Sequence, residues 1–200
     1  AEEKKLRRIL LRSSWQTTNI GDVAHTPGIL ALLEKYLPDV EVRLWPVSVD
    51  SAIERMLRHR FKKLIIAEGE TLKQAFNECD FMLHGSAPSL VAGGDLANWS
   101  EKTGRPYGIF GITFASQDSK AISIINGAKF VFFRDSVSLK SAKDNGVACP
   151  VMEVGQDAAF AMDIWNDDAA DKYTHANGLE IGKFLCCIPR LRHTPNWNIK

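Results

Sequence analysis

Histidine, carboxylate, arginine and hydroxyl side chains recur where short apolar runs of this 200-residue chain end. Asn19, Gly21, Asp22 and His25 follow the first run, and His84, Gly85, Ser86 and Ala87 follow another. Thr113 and Ser116, then Arg134, Asp135 and Ser138, then Gly155, Gln156 and Asp157 close three more. A guanidinium at a strand end beside a helix start can grip a carboxylate or phosphate with two parallel hydrogen bonds. A histidine beside a carboxylate can carry a proton near neutral pH. A polar, glycine-containing loop feeding a helix points backbone N–H groups and the positive helix end at one spot, which suits an anion. Plainer roles stand beside each of these. Arg134 can simply pair with Asp157 or Asp135, His25 can be a surface histidine, and His84 can bond to backbone. Asp22 reads as the N-cap of the following helix.

Several familiar arrangements are absent. There is no G-x-S-x-G nucleophile elbow around Ser86, no phosphate-binding G-x-x-x-x-G-K-[ST], and no G-x-G-x-x-G after the first apolar run. The four cysteines, Cys79, Cys149, Cys186 and Cys187, form no C-x-x-C pair, so reduced, mostly buried thiols and no metal site are expected. Asp50, Asp118 and Asp163 read as helix caps or loop residues, and Trp15 and Trp99 as core or cover, or as stacking partners for a sugar.

The elements that must position these residues are short. Strands are expected over 8–13, 41–47, 63–67, 80–84, 107–114, 130–134 and 151–154. Helices are expected over 23–36, 51–61, 71–79, 90–102, 120–127 and 136–145, with Gly and Pro marking the joints. Strands apolar on both faces and separated by helices indicate an α/β protein with a doubly wound, mainly parallel sheet of the Rossmann-like kind. In such a sheet, ligands bind beyond the carboxyl ends of the strands, where the residues named above collect.

Composition fits an ordinary globule, with 45% hydrophobic and 24% charged residues. A net charge of +1 argues against a nucleic-acid binder. The basic residues fall in two short runs, one flanking the first strand and one (Arg55, Arg58, Arg60, Lys62, Lys63) on an amphipathic helix, both read as solvated faces. No apolar run is long enough to span a membrane and no signal peptide is visible, so a cytoplasmic location is expected, or an exported mature chain given the start at Ala1.

The α/β pattern runs to about Asp157, and residues 1–163 are expected to form one domain. Residues 164–200 read as a linker and the start of a second, truncated domain: a polar helix over 165–177, an apolar strand over 184–188, then Arg190-Leu191-Arg192-His193.

Taken together, four stretches make the chain resemble the polysaccharide pyruvyl transferase family. They are Asn19-Ile20-Gly21-Asp22, like the family's N-x-G-D start; the glycine-containing strand Pro106-Tyr107-Gly108-Ile109-Phe110-Gly111-Ile112; the strand, Arg134-Asp135-Ser136-Val137-Ser138 and helix to Gly146, like its strand–R-[DE]-x-x-S–helix–G segment; and Gly155-Gln156-Asp157-Ala158-Ala159-Phe160, close to its D-P-A-F. The resemblance implies the first half of a glycosyltransferase-B-like, two-domain architecture. It also implies transfer of a pyruvyl (carboxyethylidene) group from phosphoenolpyruvate to a sugar of a cell-surface polysaccharide. Phosphoenolpyruvate is then a co-substrate, no cofactor or metal is needed, and the partners are a sugar or polysaccharide acceptor and a C-terminal domain missing from this chain. Arg134, with Ser138 beside it, would hold the anionic donor. The Asn19 to Asp22 loop, Gly85, Ser86 and Asp157 would line the acceptor side of the cleft, and Asp22 and His25 are the candidates for proton transfer. The chain departs from the family at His84-Gly85-Ser86-Ala87-Pro88, where the family carries a glycine cluster, and its Arg190 segment only superficially resembles the Arg-Leu-His of the family's second domain. Two other readings are compatible with the fold: a non-catalytic carbohydrate- or nucleotide-binding module, and a nucleotide-sugar glycosyltransferase.

Overall fold

The computed structural model describes residues 7–114 and 118–187, so Ser116 and the Arg190 segment lie outside the described residues. By contacts the chain divides into two compact units, Ala1–Ile164 and Trp165–Lys200. The first carries β1 (Arg8–Ser13), α1 (Ile20–Tyr36), β2 (Glu41–Pro46), α2 (Ser51–Arg60), β3 (Ile65–Ile66), α3 (Gly69–Glu78) and β4 (Phe81–His84). It continues through α4 (Gly93–Thr103), β5 (Tyr107–Ile112), α5 (Ser119–Gly127), β6 (Val131–Phe133), α6 (Ser136–Asp144), β7 (Met152–Val154) and a 3-10 turn (Ala158–Ala161). The second unit contains α7 (Asp167–Ala176), capped by the Asn166 side chain and without a buried residue.

All seven strands run parallel in the order β3-β2-β1-β4-β5-β6-β7, the doubly wound, Rossmann-like arrangement. The chain leaves β1 toward β2 on one side and returns to β4 on the other, so the order reverses between β1 and β4. Alternate residues of a strand face opposite ways, and the sheet therefore serves two cores. Leu10, Met82, Ile109, Val131 and Phe133 pack with Leu96, Trp99, Ile125 and Ala142 of the later helices. Ile9, Leu11, Leu44 and Leu83 pack with Ile29, Leu30, Leu33, Ile53 and Leu57 of α1 and α2. Beyond the reach of those two helices, Phe81, Phe110, Phe130 and Phe132 cover the second face as a run of ring contacts with centroids 5.3 to 6.0 Å apart. Gly108 makes room for this layer, because a Cβ there would lie 2.4 Å from the Phe130 ring.

Three local expectations change. Helix α1 starts at Ile20, and Asn19 rather than Asp22 is its N-cap, with Asn19 Oδ1 accepting from the Gly21 N–H at 3.3 Å. Asp22 falls in the first turn instead, where its charge still complements the helix dipole. Strand β5 stops at Ile112 because Gly111 takes φ +67° and the ladder with β6 shifts register there. No strand forms over 184–187: Leu185 is 97% exposed, and among the described residues no strand lies beside the run to supply ladder hydrogen bonds. Cys186 and Cys187 are consequently exposed, whereas Cys79 and Cys149 are buried as expected of thiols in a core. Among the described residues, no helix is long and apolar enough to cross a membrane.

Candidate functional site

The carboxyl ends of β1, β4, β5, β6 and β7 bring five loops to one edge of the sheet. The loop after β1 is held by its own hydroxyls. Ser13 Oγ and Thr26 Oγ1 are 2.9 Å apart, and the Ser14 N–H donates to Thr26 Oγ1 at 2.9 Å. Ser14 takes φ 59°, a left-handed conformation uncommon for a non-glycine residue, and its hydroxyl donates to the Ser48 carbonyl. These bonds turn the chain sharply into α1. Within the loop, the side-chain amides of Gln16 and Asn19 both donate to Asp22 Oδ2. The anion-ready start of α1 therefore already holds a carboxylate.

Residues 25 to 28 of α1 sit against the 3-10 turn that follows β7. His25, Thr26, Pro27 and Gly28 are all buried. Pro27 is interior to the helix and has no N–H to give the ladder. Gly28 lets the backbone of the turn lie directly on the helix: a Cβ there would be 1.8 Å from the Ala158 carbonyl oxygen. Asp157 caps this turn by accepting from the Ala159 N–H at 3.0 Å.

Asp157 is the centre of the cluster. Its Oδ1 accepts from Ser86 Oγ at 2.9 Å and lies 2.8 Å from His25 Nδ1, an ion-pair distance with the ring N–H turned off the line of a hydrogen bond. Its Oδ2 lies 3.3 Å from Arg134 Nη2. Arg134 Nη2 also donates to the Ala87 carbonyl at 2.8 Å, while Arg134 Nε is buried without a hydrogen-bond partner among the described residues. Burial would raise the Asp157 pKa. The His25 ring, the Ala159 N–H and the Ser86 hydroxyl outweigh it and bring the carboxyl down to about 2. Asp157 is thus a carboxylate at any physiological pH. His25 faces a second carboxylate as well, with Nε2 3.8 Å from Asp22 Oδ1.

Ser86 ties the cluster to the sheet. It is fully buried, donates also toward the Gly111 carbonyl at 3.1 Å and accepts from the Ala158 N–H at 3.2 Å. Gly85 lies against Ser13, whose Oγ would be 3.0 Å from a Cβ at that position. Gly111 has both a positive φ and a neighbour, since its Cβ would meet Ser86 Oγ at 2.9 Å. Gly111→Ala is therefore expected to cost about 2 kcal/mol, by left-handed strain on a non-glycine residue together with crowding of Ser86. Urea unfolding of the variant beside the parent chain measures it.

Behind the cluster, His84 is fully buried. Its Nδ1 lies 2.8 Å from the Gly85 carbonyl and its Nε2 accepts from the Ala92 N–H at 3.3 Å, so the ring is a neutral strut between the β4 loop and the start of α4. Trp15 lies against it with ring centroids 4.8 Å apart and donates from Nε1 to the Ser86 carbonyl. Trp15 thereby braces the Ser86 loop, and Trp99 is entirely in the core.

Of the residues singled out in the sequence, Asp22, His25, Ser86, Arg134 and Asp157 converge. Asn19 and Gly21 form the cap of α1 at the rim. Ser138 is buried, with its N–H and its Oγ bonded to Asp135, the N-cap of α6. His25 is 5% exposed and so is no surface histidine. The reading missed the Gly28 contact, whose only signal was a glycine beside a proline inside a helical stretch. Asp50 and Asp118 cap α2 and α5, and Asp163 is a loop residue that pairs with Arg60 at 2.7 Å. A surface cavity of about 620 Å³ lies at the opposite edge, by the amino ends of β2 and β3, and its guanidinium, Arg60, is committed to Glu34 and Asp163. Chemistry and topology both favour the carboxyl edge over that cavity.

The family model of polysaccharide pyruvyl transferases matches residues 19–198. No curated protein sequence matches the chain significantly. Among solved structures, HepE of Anabaena in complex with UDP is similar with a TM-score of 0.53 at 13% identity. That likeness covers 86% of this chain and 50% of HepE, so the chain spans about half the length of the structure it matches. At this identity the similarity speaks for the fold.

Proposed function

The chain belongs to the polysaccharide pyruvyl transferase family, and from that premise we propose that it takes part in moving a pyruvyl group from phosphoenolpyruvate onto a sugar of a cell-surface polysaccharide. The observation that carries this reading is the convergence of a guanidinium, a histidine and two carboxylates at the carboxyl edge of the sheet. In the reaction, C3 of the enol phosphate takes a proton and becomes a methyl group, which leaves C2 electron-poor. Two sugar hydroxyls add to C2 and lose their protons, the bond between C2 and the phosphate oxygen breaks, and inorganic phosphate departs with that oxygen. The product is a cyclic ketal, so the site must hold an anion and move protons.

Arg134 is the donor's anchor in this reading, because its guanidinium is 27% exposed and incompletely satisfied. His25 and Asp22 serve proton transfer, with the Asn19 to Asp22 loop, Gly85, Ser86 and Asp157 toward the acceptor. Ser138 supports the Arg134 loop through Asp135. Arg134→Ala is expected to abolish phosphoenolpyruvate binding measured by calorimetry, and near-native affinity in that variant would refute the assignment.

The UDP in the HepE structure favours a second reading, a nucleotide-sugar glycosyltransferase on the same fold. Release of inorganic phosphate from phosphoenolpyruvate in the presence of saccharides supports pyruvyl transfer. Release of UDP from a UDP-sugar supports the alternative, and saccharide binding with neither product marks a non-catalytic module.

A further inference from the structure

Asp157 stands between the residue proposed to hold the donor and the residue proposed to move protons, and the two contacts differ in quality. Its Oδ1 is tightly enclosed by Ser86 Oγ at 2.9 Å, the Ala159 N–H at 3.0 Å and His25 Nδ1 at 2.8 Å. Its Oδ2 meets Arg134 at 3.3 Å, longer than the roughly 2.7–2.9 Å of a well-formed charge-assisted bond. Arg134 holds the Ala87 carbonyl at 2.8 Å, keeps a buried Nε without a partner among the described residues, and is 27% exposed, so its guanidinium is fixed in place, underused and reachable from solvent. Asp157 is 18% exposed, and its backbone is locked at the cap of the 3-10 turn.

From this geometry we propose that Asp157 is an exchangeable counter-ion: an incoming phosphate or carboxylate displaces it from Arg134, and its released charge then falls wholly on His25. Asp157 is on this account a positioning residue, acting through its two neighbours. It keeps Arg134 neutralised while the site is empty. Once the anion has taken the guanidinium, the carboxylate keeps Ser86 Oγ, the Ala159 N–H and the imidazole, and its charge orients the His25 ring. Anion binding and readiness for proton transfer are thereby linked through one carboxylate, and no movement of the backbone is required. The idea rests on the donor reading only in needing an anion at Arg134, whatever that anion belongs to.

The linkage predicts changes of opposite sign that general damage to the fold would not give. Asp157→Asn keeps an oxygen for Ser86 and for the Ala159 N–H but removes the competing charge. Inorganic phosphate, followed by calorimetry on the full chain, is expected to bind the variant about fivefold tighter than the parent, since one like charge beside the anion has gone. His25→Gln removes the histidine's share of the Asp157 charge and leaves more of it to Arg134, and phosphate is expected to bind about twofold more weakly. In proton NMR, the downfield imidazole N–H signal of His25, assigned by its loss in His25→Gln, is expected to move further downfield when phosphate is added to the parent chain. Unchanged or weaker phosphate binding in Asp157→Asn overturns the proposal if that variant unfolds at the parent's temperature. Should it instead fail to fold, tighter or unchanged binding in His25→Gln, or a His25 signal indifferent to phosphate, overturns it. If phosphate behaves as expected and phosphoenolpyruvate is neither bound nor turned over, the donor reading fails and the counter-ion exchange stands.

Discussion

Gly28→Ala is expected to destabilise the protein by about 2 kcal/mol net, even though alanine is the better helix former by about 1 kcal/mol. The reason is local. The new methyl would sit 1.8 Å from the Ala158 carbonyl oxygen, and that neighbour is backbone, with no side-chain rotation available to relieve it. Either α1 or the 3-10 turn must move. Since Asp157 caps the turn and His25 lies one helical turn before Gly28, the separation opens the contact between them. At the usual scaling for a chain of this length, the melting temperature falls by about 4–8 °C. Gly94 is the control: nothing lies within 4 Å of its Cβ position, so Gly94→Ala in α4 is expected to raise stability by up to about 1 kcal/mol. Thermal unfolding followed by circular dichroism, with phosphate binding measured on the same samples, reads both effects. A Gly28→Ala chain as stable as the parent and still binding phosphate would show that the turn does not rest on the helix.

The second large effect is a loss of stability in mild acid, caused by His84. Burial is the main influence on this ring and lowers its pKa to about 4, with the Arg12 charge acting the same way against the bond to the Gly85 carbonyl. The unfolded chain takes up a proton there near pH 6.5, whereas the folded chain does so only near 4. Between those values the unfolded state binds more protons, so stability is complete above pH 6.5 and declines as the pH falls toward 4. A separation of that size corresponds to about 3 kcal/mol. The geometry gives the same sign: a proton on Nε2 would face the Ala92 N–H, placing donor against donor. Asp157, held at about 2, loses its contribution only below pH 3.8 and leaves the His84 interval clear. Urea midpoints for the parent are expected to fall steeply from pH 6.5 to 4.5, and in His84→Gln the slope should flatten over the same range. An equal slope in the two proteins would remove His84 as its source.

What the sequence discloses about this fold follows from burial. Strands such as Ile9-Leu10-Leu11 and Val131-Phe132-Phe133 are apolar on both faces because helices or phenylalanine rings cover both sides of the sheet, so their existence and parallel order are legible. Their ends are less so. Strand β3 shrinks to Ile65–Ile66 at the sheet margin, where only one neighbour sustains it. The start of α1 was displaced because Asn19 and Asp22 are both good caps, and the choice between them is made by how the Ser13 to Thr26 hydroxyl bonds turn the chain. Among the candidate site residues, Arg134 and Asp157 could be placed at strand ends by topology alone. The burial of His25 could not, because it depends on a turn far along the chain resting on Gly28. Ser138 had the right spacing from Arg134, but its hydroxyl belongs to the cap of α6.

The contact between Gly28 and Ala158 also bears on how the protein is made. Its two halves are about 130 residues apart in the chain. At ordinary rates of synthesis, α1 therefore emerges from the ribosome on the order of ten seconds before the turn that will cover it. During that interval the side of α1 around His25 and Gly28, which the turn will cover, faces solvent, and the sheet grows outward from β1 strand by strand with long-range pairings that form slowly. Nascent chains arrested before residue 157 should bind general chaperones strongly and show no affinity for phosphate. Chains whose exposed portion extends past Ala161 should lose both traits at once, because one short turn covers the Gly28 side of α1 and brings Asp157 beside His25 and Arg134.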